Sequence, residues 1–149
     1  GKCRVSQNVA EFRNQKICIL NGRNTGLLGV EEIEIDPGVA VKAASIERTL
    51  IDIAVRPIYS GGVFEVARAY EEAHSRFYVN KLASYLRKMN YTYPYHQAVG
   101  YYLERSGKYT DTEISLLRRF KRDFDFYLTY NMKETDYVER WRLFVPKGF

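Results

Sequence analysis

Polar and apolar residues alternate over positions 31–35, which is the pattern of a β-strand. The alternation puts Ile33 and Ile35 on one face of that strand. An Asp-Pro-Gly turn follows, in which proline presets φ and glycine accepts a positive φ, and residues 39–43 return as the next strand. A short apolar strand is predicted earlier, at residues 16–20. The first part of the chain is therefore predicted to be a hairpin or a meander.

From residue 45 onward, apolar residues recur at intervals of three and four, which is the spacing of one buried helix face. Ser45 is predicted to be the N-cap of the first of these helices, and Pro57 to end it. Thr110 and Glu113 match a capping box at the start of the last helix. The five predicted helices cover about 45–56, 63–73, 79–89, 95–105 and 110–120.

Alternation returns over residues 124–129 and 138–145, which predicts strands at the end of the chain as well. Strands and helices do not alternate along the sequence, so a parallel doubly wound topology is not expected. The predicted fold class is α+β, with a small mixed or antiparallel sheet from both chain ends packed against a central group of about five helices. A length of 149 residues suits a single domain over residues 1–149.

Composition and cysteine usage are those of an ordinary intracellular domain. The net charge of +5 permits nucleic-acid contact without requiring it. Cys3 and Cys18 form no Cys-x-x-Cys motif and are predicted to be free thiols in a reducing compartment, with one disulfide between them as the alternative. No signal peptide opens the chain, and no apolar run is long enough to span a membrane. The protein is therefore expected in the cytoplasm, without membrane contact.

Side chains that could carry catalysis or hold a metal are sparse. The two histidines, His74 and His96, lie outside any nucleophile motif, and they fall on separate predicted helices, which is a weak signal for zinc. We therefore predict no catalytic residue, no metal site and no cofactor. A magnesium-dependent nuclease is an alternative, with Glu34 or Asp36 beside Lys42, although no Glu-x-Lys or Asp-x-Lys pair occurs.

The densest basic cluster is a candidate nucleic-acid contact. Its members are Arg118, Arg119, Lys121 and Arg122. Phosphate binding is one interpretation, and it would make the chain a stand-alone basic DNA-binding module. The other interpretation is a solvated helix face that Asp123 and Asp125 partly neutralise. No helix-turn-helix pattern is visible.

The most specific stretch opens the first helix, directly after a strand. It contains Ser45, Glu47, Arg48, Thr49, Leu50 and Asp52. Arg48 and Asp52 are four residues apart, so their side chains share a helix face and can pair. The order of these residues resembles the AbiEi family of antitoxins from abortive-infection toxin–antitoxin systems. In that family, Ser-x-Glu-Arg-Thr/Ala-Leu-x-Asp opens a helix after a strand.

Two later features extend the resemblance to about residues 30–107. Gly61-Gly62 matches a glycine step into the next helix, and Gly100 begins a segment similar to the family's Gly-Tyr-x-Leu-Glu helix. A glycine inside a helix costs about 1 kcal/mol relative to alanine, so Gly100 indicates close packing against that helix.

The resemblance implies a non-catalytic regulatory domain of an antitoxin-type transcriptional regulator. In that family an N-terminal winged helix binds the operator, and the partner toxin is nucleotidyltransferase-like. No winged helix precedes the motif in this chain, so DNA contact would need a missing winged helix or the basic cluster. Glu47, Arg48 and Asp52 are expected to hold the strand–helix junction. A candidate interaction surface comprises Tyr93, Tyr95, His96 and Arg105.

Overall fold

A computed structural model of the chain describes residues 8–20, 22 and 25–149. The strands are β1 Val9–Phe12, β2 Gln15–Cys18, β3 Val30–Asp36, β4 Val39–Ala44, β5 Phe126–Tyr127, β6 Thr135–Val138 and β7 Leu143–Pro146. The helices are α1 Ile46–Val55, α2 Val63–Glu72, α3 Val79–Met89, α4 Tyr95–Ser106 and α5 Asp111–Arg118, with short 3-10 turns at Pro57–Ser60 and Glu139–Trp141. Cys18 is a free, exposed thiol, whereas Cys3 lies outside the described residues.

The α+β class predicted from the sequence is confirmed, with five helices and small sheets from both ends of the chain. Among the described residues, the strands form three separate sheets. Strands β1 and β2 make one antiparallel hairpin, and β3 and β4 make another. The third sheet has the order β5-β7-β6, with β5 parallel and β6 antiparallel to β7.

The core lies among the five helices, because each of them turns an apolar face inward. Its largest fully buried side chains include Tyr70, Leu82, Tyr102, Leu103 and Trp141. The C-terminal sheet joins this core through Trp141, Leu143 and Val145, which are buried. The β1–β2 and β3–β4 hairpins contribute almost nothing to it, since their side chains are exposed or half-buried.

The helix starts follow the capping residues in the sequence. The Ser45 side chain accepts a hydrogen bond from the backbone N–H of Arg48, and Thr110 and Glu113 form the reciprocal bonds of a capping box. Gly61 and Gly62, with φ of 80° and 92°, make the step between the first 3-10 turn and α2. All three predicted features are confirmed.

The prediction of one continuous strand over 138–145 is wrong. A 3-10 turn interrupts it at Glu139–Trp141, and Arg142 adopts a positive φ of 48°. The buried Gln97 amide explains the break, because its nitrogen donates to the carbonyl oxygens of both Trp141 and Arg142. A tertiary contact thus overrides the local alternation.

Candidate functional site

Arg48 ties the start of α1 to the loop that precedes β3. Its guanidinium donates to the Leu28 carbonyl at 2.8 Å and to the Thr25 hydroxyl at 3.1 Å. Its Nε donates to Asp52 at 2.8 Å, which completes the predicted pair on one helix face. The Arg48 side chain is only 15% exposed. It therefore fixes the loop to the helix from a largely enclosed position.

Glu47 performs a similar role toward α3. Its buried carboxylate accepts the backbone N–H of Tyr78 and lies 3.4 Å from the Lys81 ammonium. Burial raises the pKa of Glu47, but hydrogen bonds from its own backbone, Ser45 and Tyr78, with the nearby Lys81 charge, outweigh it and leave the pKa lowered. Glu47 is thus a structural anion at the junction of α1 and α3.

Ser45 and Lys81, which lie beside Arg48 and Glu47, hold the base of the β3–β4 hairpin. The Ser45 backbone N–H donates to the Gly29 carbonyl at 2.7 Å. Lys81 bridges Glu47 and Glu31, and its bond to Glu31, at 3.0 Å, is the main cause that raises the Lys81 pKa to about 12. Gly29 has no room for a side chain, because an added Cβ would lie 2.8 Å from Arg48 and Tyr85 atoms. The motif therefore anchors the hairpin on the helices.

Beyond this base, the hairpin carries one apolar face that the described residues leave open. Pairing of Ile33 with Val41, together with the alternation along β4, places Ile33, Val39 and Val41 on that face, and Ile35 lies beside them at the register shift between Glu34 and Asp36. These four side chains are between 39% and 58% exposed. The opposite face carries the polar pair of Glu32 and Lys42. We call the four apolar side chains the hairpin face.

Gly100 is fully buried in α4, where it lies under the Trp141 ring. A Cβ built on Gly100 would be 2.2 Å from two Trp141 ring carbons. The Trp141 indole N–H also donates to Glu104, one turn further along the same helix. The close approach predicted from this glycine is confirmed, and it positions the C-terminal segment.

A second open feature lies where α3 ends and α4 begins. It is a groove of about 300 Å³, which we call the tyrosine groove. Five of its nine lining residues carry aromatic rings, namely Tyr91, Tyr93, Tyr95, His96 and Phe120. The lining also includes two cations, Arg87 and Lys121.

The rings of the tyrosine groove support one another. His96 stacks on Phe120 with a centroid distance of 5.0 Å, and its Nε2 donates to the Lys121 carbonyl at 2.8 Å. Tyr95 meets Phe126 edge-on at 5.4 Å. Burial lowers the pKa of His96 and raises that of Tyr95, so both rings are neutral near pH 7. His96 and Tyr95 are thus each held against a neighbouring ring.

The four residues of the candidate interaction surface do not form one surface. Tyr93, Tyr95 and His96 lie together in the tyrosine groove. Arg105 lies ten residues further along α4, about 15 Å away at the helical rise. Its guanidinium sits 4.3 Å from the centre of the Phe149 ring and 4.0 Å from Glu71. Arg105 therefore belongs to the opposite end of the helix.

The structure also divides the basic cluster. Arg118 pairs with Glu104 at 2.8 Å and is half-buried, and Arg122 donates to the Arg118 carbonyl. Arg119 and Lys121 are exposed. An open depression beside Arg118, about 780 Å³ in volume, includes Asp111 as well, so its charge is mixed.

The acidic residues considered for a nuclease lie at the exposed far end of the β3–β4 hairpin. The Glu34 carboxylate accepts the backbone N–H of Gly38 at 2.9 Å and so closes the turn. In the described part of the chain, no three His, Cys, Asp or Glu side chains are close enough together to hold a metal ion. None of the described helices is long and apolar enough to cross a membrane.

Comparisons with known proteins give one structural likeness. No protein-family model matches the chain, and no curated protein does. The crystal structure of the RV2827C protein from Mycobacterium tuberculosis is similar, with a TM-score of 0.54 and 16% sequence identity. The likeness covers 69% of this chain but only 35% of the RV2827C chain, so it spans about a third of the length of that protein. At this identity the likeness concerns the fold alone.

Proposed function

We propose that this chain is a non-catalytic regulatory domain of antitoxin type, which acts by binding a protein partner on the hairpin face. The observation that carries the proposal is an open row of apolar side chains, held on the helices by the motif residues. The partner that the AbiEi resemblance suggests is a nucleotidyltransferase-like toxin. A cytoplasmic location is part of the same proposal.

The exposure of the hairpin face supports a binding role. Large contiguous apolar patches are rare on monomers, and the largest patch on a protein surface commonly marks an interaction site. An isolated two-stranded hairpin is marginally stable in water, so cover on its apolar side would stabilise it. All four side chains of the hairpin face are β-branched and therefore stiff, so they lose little rotamer freedom when a partner covers them.

The contacts of the motif residues also support the proposal. The hydrogen bonds of these residues lie within the chain: Arg48 donates to Leu28 and Thr25, and Glu47 accepts from Tyr78. They are therefore suited to setting the position of the hairpin. A fixed surface binds more tightly than a mobile one, because less conformational freedom is lost on association.

Growth rescue by co-expression tests the proposal. The toxin to use is a nucleotidyltransferase encoded beside the gene for this chain, with neutralisation measured as colony growth. Ile33→Thr combined with Val41→Thr keeps the β-propensity of the strands but removes apolar area. We expect this double variant to lose neutralisation and to bind the purified toxin at least about tenfold more weakly.

Glu32→Thr with Lys42→Thr is the matched control, because this pair is adjacent in the ladder and lies on the opposite face. The control should neutralise like the native chain. Equal neutralisation by both double variants, with both folded by circular dichroism, would reject the hairpin face as the binding site. Absence of any nucleotidyltransferase gene beside this one would reject the toxin as the partner.

A further inference from the structure

The tyrosine groove presents flat rings to solvent, and none of the motif residues Ser45, Glu47, Arg48 and Asp52 lines it. Tyr93 at its mouth is 62% exposed, and it stacks on Phe126 at a centroid distance of 6.4 Å and an interplanar angle of 24°. One face of the Tyr93 ring is thus supported from within. A supported, exposed ring is a platform on which another planar group can stack.

The cations of the groove lie beside these rings. The Arg87 guanidinium is 4.9 Å from the centre of the Phe120 ring, which holds it by a cation–π contact. Arg87 and Lys121 are exposed, and no carboxylate is among the described residues that line the groove. The Asp123 carboxylate, which acts to raise the pKa of His96, lies outside the lining. The groove therefore favours an anionic ligand.

His96 adds a directional group. Its Nε2 must carry the proton that it donates to the Lys121 carbonyl, at 2.8 Å. Because burial holds the ring neutral, Nδ1 is then an acceptor. Planar platforms, flanking cations and a hydrogen-bond acceptor are together the features of sites for unpaired nucleobases.

We propose that the tyrosine groove binds a short stretch of single-stranded nucleic acid, with a base stacked on Tyr93 and the backbone phosphates beside Arg87 and Lys121. An acidic peptide would also bring negative charge, but Leu86 is the one aliphatic side chain in the lining, and the rings outnumber it. Paired bases cannot stack on Tyr93, so a duplex is disfavoured. This site is separate from the hairpin face and goes beyond the protein-binding role.

Fluorescence anisotropy with a fluorescein-labelled oligouridylate dodecamer tests the proposal. Tyr93→Ala should raise the Kd about tenfold, since one base–ring stack is lost, whereas Tyr93→Phe should stay within about twofold. Lys121→Ala should lower the slope of log K against log salt by about 0.7, the value for one phosphate contact with a single strand. Tyr78→Ala is the matched control, because Tyr78 is 74% exposed and does not line the groove.

Three comparisons separate this site from simpler explanations. An abasic dodecamer of equal length that binds as tightly as oligouridylate would reduce the site to phosphate attraction and overturn the proposal. A polyglutamate peptide that displaces the probe more effectively than unlabelled oligouridylate would assign the groove to a protein. Equal Kd values for Tyr93→Ala and Tyr78→Ala, or no binding by the native chain, would also overturn it. Thermal unfolding by circular dichroism shows whether each variant is folded.

Discussion

At the scale of single residues, Gly100 and Trp141 decide how the end of the chain meets the helices. The indole ring occupies the space that any side chain at Gly100 would need. Gln97 and Glu104 on the same helix bind the Trp141 carbonyl and the Trp141 N–H. Helix α4 therefore holds Trp141 by its ring, its indole N–H and its backbone carbonyl.

Gly100→Ala should destabilise the protein although alanine is the better helix former. The gain in helix propensity is about 1 kcal/mol, but the new Cβ would lie 2.2 Å from ring carbons. Overpacking of this kind costs roughly 1–3 kcal/mol, and Trp141 is held too firmly to move at no cost. Because the clash is with a rigid ring, the overpacking cost belongs in the upper part of that range, and urea unfolding followed by circular dichroism should give a net loss of about 1–2 kcal/mol.

The same substitution in a Trp141→Leu background provides the control. The smaller side chain leaves room for the Cβ, so Gly100→Ala should then be neutral or stabilising. A native-background Gly100→Ala protein that is as stable as the native protein would contradict the packing described above.

Gly100 also shows how far the sequence informs a single position. A glycine at a helical position signals close approach, because it is otherwise unfavourable there. Its partner could not be predicted, since Trp141 lies far along the chain and in a stretch whose alternation indicates an ordinary strand. Pairing between distant residues depends on the whole core, which local periodicity does not encode.

At the scale of elements, the β3–β4 hairpin depends on side chains outside its own strands. Its strands have few buried residues, so packing contributes little to holding it in place. Arg48, Ser45 and Lys81 supply the polar contacts at its base instead. The position of the hairpin should therefore be sensitive to one of these contacts.

Arg48→Ala should cost about 2 kcal/mol in urea unfolding, because the two loop contacts are largely enclosed. Hydrogen exchange of the Ser45 and Val30 amides should accelerate, since both donate to the loop that Arg48 holds. Arg68→Ala is the control. Arg68 also forms two ion pairs within its helix, but it is 64% exposed and should cost under about 0.5 kcal/mol.

Similar losses from Arg48→Ala and Arg68→Ala, with unchanged exchange at Ser45, would show that the loop contacts do not hold the hairpin.

Helix positions were largely predictable at this scale, whereas sheet organisation was not. The α3 bounds, Val79–Met89, are those predicted, because an apolar stripe at helical spacing needs no distant partner. Alternation over 31–35 located β3 but could not show that Ile33 and Ile35 would remain exposed. Strand β1, Val9–Phe12, was not predicted, because it is exposed throughout and therefore needs no alternation of polar and apolar residues. Its backbone hydrogen bonds to β2 form whatever the side chains are.

At the scale of the whole molecule, the two open surfaces lie at opposite ends of α3. Lys81 in its first turn supports the hairpin base, and Asn90 at its end lines the tyrosine groove. Nine residues of helix separate them by about 14 Å. Two sites at this distance, with no shared contact, can be occupied independently.

Combining the variants of the two surfaces tests this independence. Ile33→Thr with Val41→Thr should leave the Kd for oligouridylate within about twofold, and Tyr93→Ala should leave toxin neutralisation intact. The free-energy changes of the combined variant should add within about 0.5 kcal/mol. A change in oligouridylate affinity on hairpin substitution would show that α3 couples the surfaces.

Trp141 has one more consequence, for spectroscopy. It is the single tryptophan of the chain and is fully buried against Gly100, so its emission comes from one known, water-excluded environment. Neither the hairpin face nor the tyrosine groove includes it. Its intrinsic fluorescence should therefore stay unchanged when either surface is occupied and shift to the red when the C-terminal segment leaves α4. The chain thus carries a label-free probe that responds to loss of this packing and not to occupation of either surface.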